Sequence, residues 1–314
     1  MEALALEPVL AQLLRLVGDP AVTDVLVNGP TQVWVDRGAG LQPAEGLGVS
    51  PVALVQIGFS LAQLADRHVD LANPLGDFVL GATQLPPLER LGIESVRIHV
   101  VLESGVSPQT LISIRVHRSG GWELRQLAET GFCTGSQARE LQVLANGGTN
   151  FLVAGAAGCG KTTLLRAMLS LAPELRTVVI EDSAELVPVS GHVIGLQTRQ
   201  ANSEGRGEIG AAELLRQALR MRPDRLVVGE IRGAEVAVLL QALNTGHLGS
   251  AATIHANSAA SVPSRLLGLA LQAGIPESVF WLTAPQAFHR VIQLERVAGK
   301  RRVEGIYSWA ELTS

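Results

Sequence analysis

The stretch Gly155-Ala-Ala-Gly158-Cys159-Gly160-Lys161-Thr162-Thr163 decides the fold. The apolar run Phe151-Leu-Val-Ala154 precedes it and the apolar helical pattern Leu164–Leu171 follows. The spacing fits G-x-x-x-x-G-K-[ST], set in the strand–loop–helix context that this motif requires. Its glycines let the backbone curl so that successive N–H groups point inward at phosphate oxygens. The helix N-terminus adds partial positive charge. Lys161 is suited to the β/γ-phosphates and the Thr162 hydroxyl to Mg2+. Gly155, Gly158, Cys159, Gly160, Lys161, Thr162 and Thr163 are therefore candidate nucleotide-binding residues. Cys159 stands where Ser is the more familiar occupant. A thiol at a helix N-terminus can have a lowered pKa and be open to oxidation, which is one reading of Cys159. The alternative is a small side chain tolerated where the backbone does the binding.

Strand–helix units continue on both sides, the pattern of a parallel α/β sheet. Helical Gln137–Ala145 ends at Gly147-Gly148, and Thr177–Ile180, Leu226–Val228 and Ala251–Ile254 read as further buried strands. Ala211–Arg220 and Ala234–Leu243 are amphipathic helices; in the second, Val236, Leu239, Leu240 and Leu243 follow the i, i+3, i+4, i+7 rule. Each strand after the loop ends in chemistry. Glu181-Asp-Ser-Ala-Glu185 follows the first, and a carboxylate there can orient or deprotonate attacking water; the alternative is an ordinary acidic turn. Gly229-Glu230-Ile-Arg232 follows the second, with Glu230 placed to hold Mg2+ directly or through water. The third closes the segment Thr245-Gly-His247-Leu-Gly-Ser-Ala-Ala-Thr-Ile-His255, whose histidines suit phosphate sensing or simple structural roles. Two His with no Cys at ligand spacing argue against zinc.

The first part of the chain is different. Leu4–Val17 has a helical apolar pattern, Asp24–Asp36 reads as a hairpin turning at Gly29-Pro30, and Pro51–Asp66 as a helix. An irregular stretch is expected from Asn73 to Gly92, then strands at Val96–Leu102 and Thr110–Val116. Ser119-Gly120-Gly121 marks the expected boundary between a smaller α+β domain, 1–119, and an α/β domain, 120–314.

Composition narrows the classes. The 314 residues carry 25 Lys+Arg against 29 Asp+Glu, a net charge of −4, which argues against binding nucleic acid through its backbone. Aromatics at 4% leave few platforms for stacking bases. Two cysteines cannot make a disulfide scaffold, so a reducing cytoplasm is the expectation. The N-terminus lacks the basic region of a secretory signal, and uncharged Gly46–Ala65 reads better as a loop and buried helix than as a membrane span.

The four motif segments, in this order, resemble the secretion-superfamily ATPases, motors of type II and type IV secretion and of type IV-like pili. Gly155–Thr163 looks like their Walker A, Glu181–Glu185 their Asp box, Gly229-Glu230 their Walker B, and Thr245–His255 their His box. The stretch Gln197–Glu208, with Ala218–Asp224 and Asn244–His247, is most similar to the CpaF/TadA branch that powers tight-adherence (Tad/Flp) pili. The resemblance implies a RecA-like P-loop domain behind a smaller N-terminal domain, an ATP-hydrolysing enzyme using ATP and Mg2+, and a hexameric homo-oligomer. It also implies a cytoplasmic protein at the inner face of the membrane, reached through an inner-membrane platform protein, with no transmembrane segment of its own; the acidic balance and sparse aromatics add the expectation of no direct nucleic acid. Residue by residue, Lys161 and Thr162 fall on nucleotide and Mg2+, Glu181 on the water and Glu230 beside Mg2+. His247 and His255 become phosphate sensors, and Arg97 and Arg115 match arginines that the N-terminal domain brings to the nucleotide; the alternative for each is a surface ion pair. The family's compact turn before Arg97 is replaced here by the longer Gly81–Ser95. The alternatives are a DNA-transfer (conjugation-type) ATPase on the same fold, or a nucleotide-gated scaffold with little hydrolysis.

Overall fold

A computed structural model describes residues 2–38, 40–118, 120–186, 191–199 and 206–313, with the side chains of residues 2–9 left aside. The chain forms two compact units, Met1–Gly120 and Gly121–Ser314. Ser119, part of the expected boundary, lies outside the described residues, as do residues 200–205 of the Gln197–Glu208 stretch.

The first unit runs α1 (Glu2–Gly18), β1 (Asp24–Asn28), β2 (Val33–Asp36), β3 (Leu41–Ala44), α2 (Pro51–Leu64), β4 (Leu75–Gly81), α3 (Pro87–Arg90), β5 (Ile93–Val101) and β6 (Leu111–Arg118). Its strands make one antiparallel sheet in the order β3-β2-β1-β6-β5-β4. Alternation sends Val25, Val27, Val33, Val35, Ile98, Val100, Ile112 and Ile114 to one face, where they pack with Leu13 and Val17 of α1 and Leu54, Ile57 and Leu61 of α2. Ser50 caps α2 by accepting from the Ala53 N–H, with Pro51 in the first turn. The irregular stretch expected at Asn73–Gly92 is corrected: it contains the edge strand β4 and the single turn α3. Two glycines and an aspartate give Leu75–Gly81 poor strand propensity, but Phe78 and Leu80 alternate into the core opposite β5, and that pairing prevails.

The second unit runs α4 (Leu124–Glu129), α5 (Gly135–Asn146), β7 (Phe151–Ala154), α6 (Lys161–Leu169), β8 (Thr177–Glu181), β9 (Val193–Gln197), α7 (Ala211–Ala218), β10 (Arg225–Val228), α8 (Glu235–Leu243), β11 (Ala251–Ile254), α9 (Val262–Gln272), α10 (Glu277–Ala287), β12 (Arg290–Val297) and β13 (Lys300–Ser308). The sheet order is β13-β12-β7-β11-β10-β8-β9, parallel throughout except for the β12–β13 pair. The central strands are buried on both faces. Leu152, Ile180, Val228 and Ile254 pack with α7–α10, whereas Val153, Val179 and Val227 pack on the opposite face with α5 and α6. At the lower edge of this sheet the buried Arg225 donates to the Thr177 hydroxyl at 2.6 Å and to the carbonyls of Ala145 and Leu169 at 3.3 and 3.0 Å. It thereby satisfies carbonyls in the last turns of α5 and α6 and ties both helices to the strands beneath them.

Candidate active site

Because β7, β11, β10 and β8 run parallel, their C-terminal ends share one edge of the sheet, where ligand sites of open α/β sheets lie. The loop after β7, His255 after β11, Gly229-Glu230 after β10 and Glu181 at the end of β8 all fall on that edge.

The loop's shape depends on its glycines. A Cβ at Gly155 would stand 2.5 Å from Cys159 Sγ and 2.7 Å from the Leu294 carbonyl oxygen, and Gly160, with φ +98°, lies against the Phe132 ring. Only glycine fits either position. The Cys159 sulfur is therefore turned under the loop toward Gly155, and the residue is buried. Burial pushes its thiol pKa up, which rules against the reading as a lowered, oxidation-prone thiol and fits the small side chain tolerated under the loop. The Lys161 charge, the backbone N–H groups of Lys161 and Cys159, and the Arg301 charge act the other way, and desolvation outweighs them.

Lys161 opens α6. Its ammonium donates to the carbonyls of Gly155 (2.9 Å) and Ala156 (3.0 Å) and lies 3.3 Å from His255 Nδ1; burial lowers its pKa. Thr162 and Thr163 follow in the first turn, both half-buried. His255 Nε2 is 3.0 Å from Glu230 Oε1. Burial first, and Lys161 second, hold the His255 pKa below its ordinary value. A neutral imidazole with its proton on Nε2 donates to Glu230 and accepts from Lys161, satisfying both contacts together.

Glu181 is almost wholly buried. Its carboxylate accepts from the backbone N–H groups of Glu185 and Leu186 at 3.0–3.3 Å. Desolvation pushes its pKa up to about 8, against the pull of those N–H groups. Its stem lies over Gly229, where a Cβ would come within 2.8 Å of Glu181 Cγ. Gly229 is thus a seat for the Glu181 side chain.

Other predicted residues fall elsewhere. His247 precedes β11 and so lies at the opposite edge of the sheet, separated from His255 by the strand. Four residues at about 3.3 Å each put roughly 13 Å between those edges. Its Nδ1–H donates to the Ala242 carbonyl at 3.2 Å. Arg97 and Arg115 belong to the first unit and face each other across β5 and β6 on the side away from that unit's core. Arg97 forks onto Asp77 at 2.7 and 3.1 Å, and Arg115 donates to Asp24 at 2.9 Å. Sequence reasoning assigned nothing to Asp182 or Arg232. Yet Arg232 bridges Asp182 Oδ2 at 2.9 Å and Glu230 Oε2 at 2.5 Å. The signal was there: an arginine two residues after Glu230, and an aspartate directly after Glu181. A cleft of about 530 Å3 opens beside the loop, lined by Ala156, Ala157, His255, Asn257, Ser264 and Arg265.

Residues 90–298 match the family described as type II/IV secretion system protein. The chain belongs to that family. As a type II/IV secretion family member it is a P-loop ATPase. It is 40% identical over 293 residues to a Mycobacterium tuberculosis protein named for conjugal transfer (Rv3659c), an alignment covering 93% of this chain and 82% of that protein. It is 31% identical to the type IV secretion system protein PtlH of Bordetella pertussis, over 91% of this chain and 90% of PtlH. Among solved structures it is similar to the Legionella pneumophila ATPase DotB, with a TM-score of 0.66 at 18% identity over 94% of this chain and 79% of that one. The pilus retraction motor PilT gives a TM-score of 0.62 at 19% identity, over 92% and 77%. At these identities the structural likeness concerns the fold, an α/β RecA-like domain preceded by a smaller antiparallel-sheet domain.

Proposed function

We propose that this ATPase is the hydrolytic motor of a type IV secretion or conjugation-type transfer machine. The observation that carries the reading is the convergence, at one sheet edge, of Lys161, Glu181, Glu230 and His255 around a phosphate loop. The N–H groups of that loop and Lys161 bind the nucleotide phosphates, Lys161 exchanging its loop carbonyls for phosphate oxygens. Glu181 takes the proton of the attacking water as the new O–P bond forms and the β–γ bridging bond breaks. A carboxylate with a pKa raised toward the working pH is suited to that step. Thr162 and Glu230 fit Mg2+: both offer hard oxygens, and Glu230 already holds the Arg232 guanidinium and the His255 N–H. When bound, that ion neutralises charge on the β- and γ-phosphates. Arg97 and Arg115 are the proposed neutralising guanidiniums from the first unit, and their use requires release from Asp77 and Asp24. His247 has no part in this scheme.

Action as a homo-oligomer, a hexamer in our reading, with a membrane platform protein as partner at the inner face of the cytoplasmic membrane, completes the proposal. Among the described residues no helix is long and apolar enough to cross a membrane. The names of the relatives support conjugation-type and type IV secretion over the tight-adherence branch expected from Gln197–Glu208. A net charge of −4 favours work on a protein partner rather than on DNA itself. A multi-turnover phosphate-release assay tests the core of the reading. Lys161→Ala should abolish turnover, and Glu181→Gln should lower it at least a hundredfold. Turnover unchanged in Lys161→Ala refutes the site, and strong stimulation by DNA alone refutes the protein-partner reading.

A further inference from the structure

Both oxygens of Glu230 are engaged by positive or donor groups: Oε2 by Arg232 at 2.5 Å and Oε1 by His255 at 3.0 Å. Arg232 is anchored twice over. Its other terminal nitrogen holds Asp182 at 2.9 Å, and its backbone N–H donates to the Glu235 carboxylate, which also accepts from the Gly233 N–H at 2.8 Å. Glu235 is itself buried at the start of α8, so the backbone that carries Arg232 is held in place. The guanidinium therefore stands in front of the carboxylate that the proposed chemistry turns toward a divalent cation. Its planar fork suits the two carboxylates, one after β8 and one after β10, in a way that the point charge of a lysine does not.

We propose that Arg232 is a positioning residue that occupies the cation place at Glu230 and yields it, while staying on Asp182, when metal and nucleotide load. The two carboxylates share one guanidinium, each on its own terminal nitrogen, so Arg232 can swing off Glu230 while Asp182 still partners its charge. Glu230 becomes free for metal to the extent that Asp182 retains Arg232. The Arg232 side chain is about half exposed, so its hold on Glu230 is weak, and the shift it imposes on metal loading is modest, roughly two- to fivefold. This rests on the reading of Glu230 as the metal-side carboxylate.

The test uses the full chain and a fluorescent ADP analogue titrated with Mg2+, reading the concentration that gives half-maximal binding. Arg232→Gln removes the competitor and should lower that concentration roughly two- to fivefold. Asp182→Asn leaves Arg232 wholly to Glu230 and should raise it by a similar factor. Opposite signs are the signature, because damage to a merely structural contact moves both variants the same way. An unchanged or raised requirement in Arg232→Gln, or an unchanged or lowered one in Asp182→Asn, overturns the proposal. Glu230→Gln separates the two levels. If it alters the Mg2+ requirement while Arg232→Gln does not, only the Arg232 role falls. If it leaves the requirement unchanged, the Glu230 reading falls and takes the Arg232 role with it.

Discussion

Replacing Gly229 by alanine tests how the site is assembled. The new Cβ would lie 2.8 Å from Glu181 Cγ, 3.5 Å from Glu181 Cβ and 3.4 Å from the Ile180 carbonyl oxygen. Carbon atoms at rest sit about 3.5–4.0 Å apart, so Glu181 or its strand must give by roughly 0.7–1.2 Å. Glu181 Cγ is not a free chain end, since the carboxylate beyond it is buried and tied to the N–H groups of Glu185 and Leu186. Overpacking of this kind costs about 1–3 kcal/mol of stability. A misplacement near 1 Å of the water-activating group costs about a hundredfold in turnover. Gly229→Ala should therefore lower kcat about a hundredfold with little change in KM for ATP, and lower the unfolding free energy in urea by about 1–3 kcal/mol. A double-mutant cycle isolates the cause. In a Glu181→Ala background the atom that meets the new Cβ is gone, so Gly229→Ala should there cost less than about 0.5 kcal/mol. An equal cost in both backgrounds would refute the idea that Gly229 exists to seat Glu181.

Four further outcomes follow from burial. Because burial raises the folded-state pKa of Glu181 from 4.5 to about 8, the folded protein binds a proton there that the unfolded chain has lost. Between those values this contribution to stability falls as pH rises, and Glu181→Gln should flatten the decline of Tm from pH 5 to 9. Turnover should rise with pH toward 8 as the base form fills, provided the water-activating role is right. Arg225→Met leaves the carbonyls of Ala145 and Leu169 and the Thr177 hydroxyl without their donor. It should cost about 2–4 kcal/mol in urea unfolding, with Arg225→Lys recovering part. Cys159 in the folded protein should react with a disulfide reagent at pH 7.5 far more slowly than in urea, since its thiol is buried and its pKa raised; equal rates would contradict the packing under Gly155.

Much of the site was legible because each motif is local. A phosphate loop needs its glycines, lysine and hydroxyl within nine residues, and the strands before Glu181, Glu230 and His255 are apolar runs a reader can count. The elements that escaped are those whose formation depends on a distant partner. β4 exists because Phe78 and Leu80 meet β5, and β12 because Val291, Ile292 and Leu294 fill both faces beside β7. Sequence left two readings of Cys159 open because a helix N-terminus lowers a thiol pKa by an effect visible in sequence, whereas desolvation, the larger effect here, depends on what covers the sulfur.

The sequence by itself determined that this chain binds a nucleotide on an α/β domain, and that Glu181, Glu230 and His255 end strands. Period, spacing and residue type are properties of short segments, and they suffice for that. Only the tertiary structure decided which of those residues meet. Parallel strand order carried Glu181, Glu230 and His255 to the edge that holds Lys161, and left His247, eight residues before His255, at the other end of β11. It also made Gly229 the floor under Glu181 and set Arg232 between two carboxylates 48 positions apart in the chain. Those relations depend on register and packing between segments, which no single segment encodes.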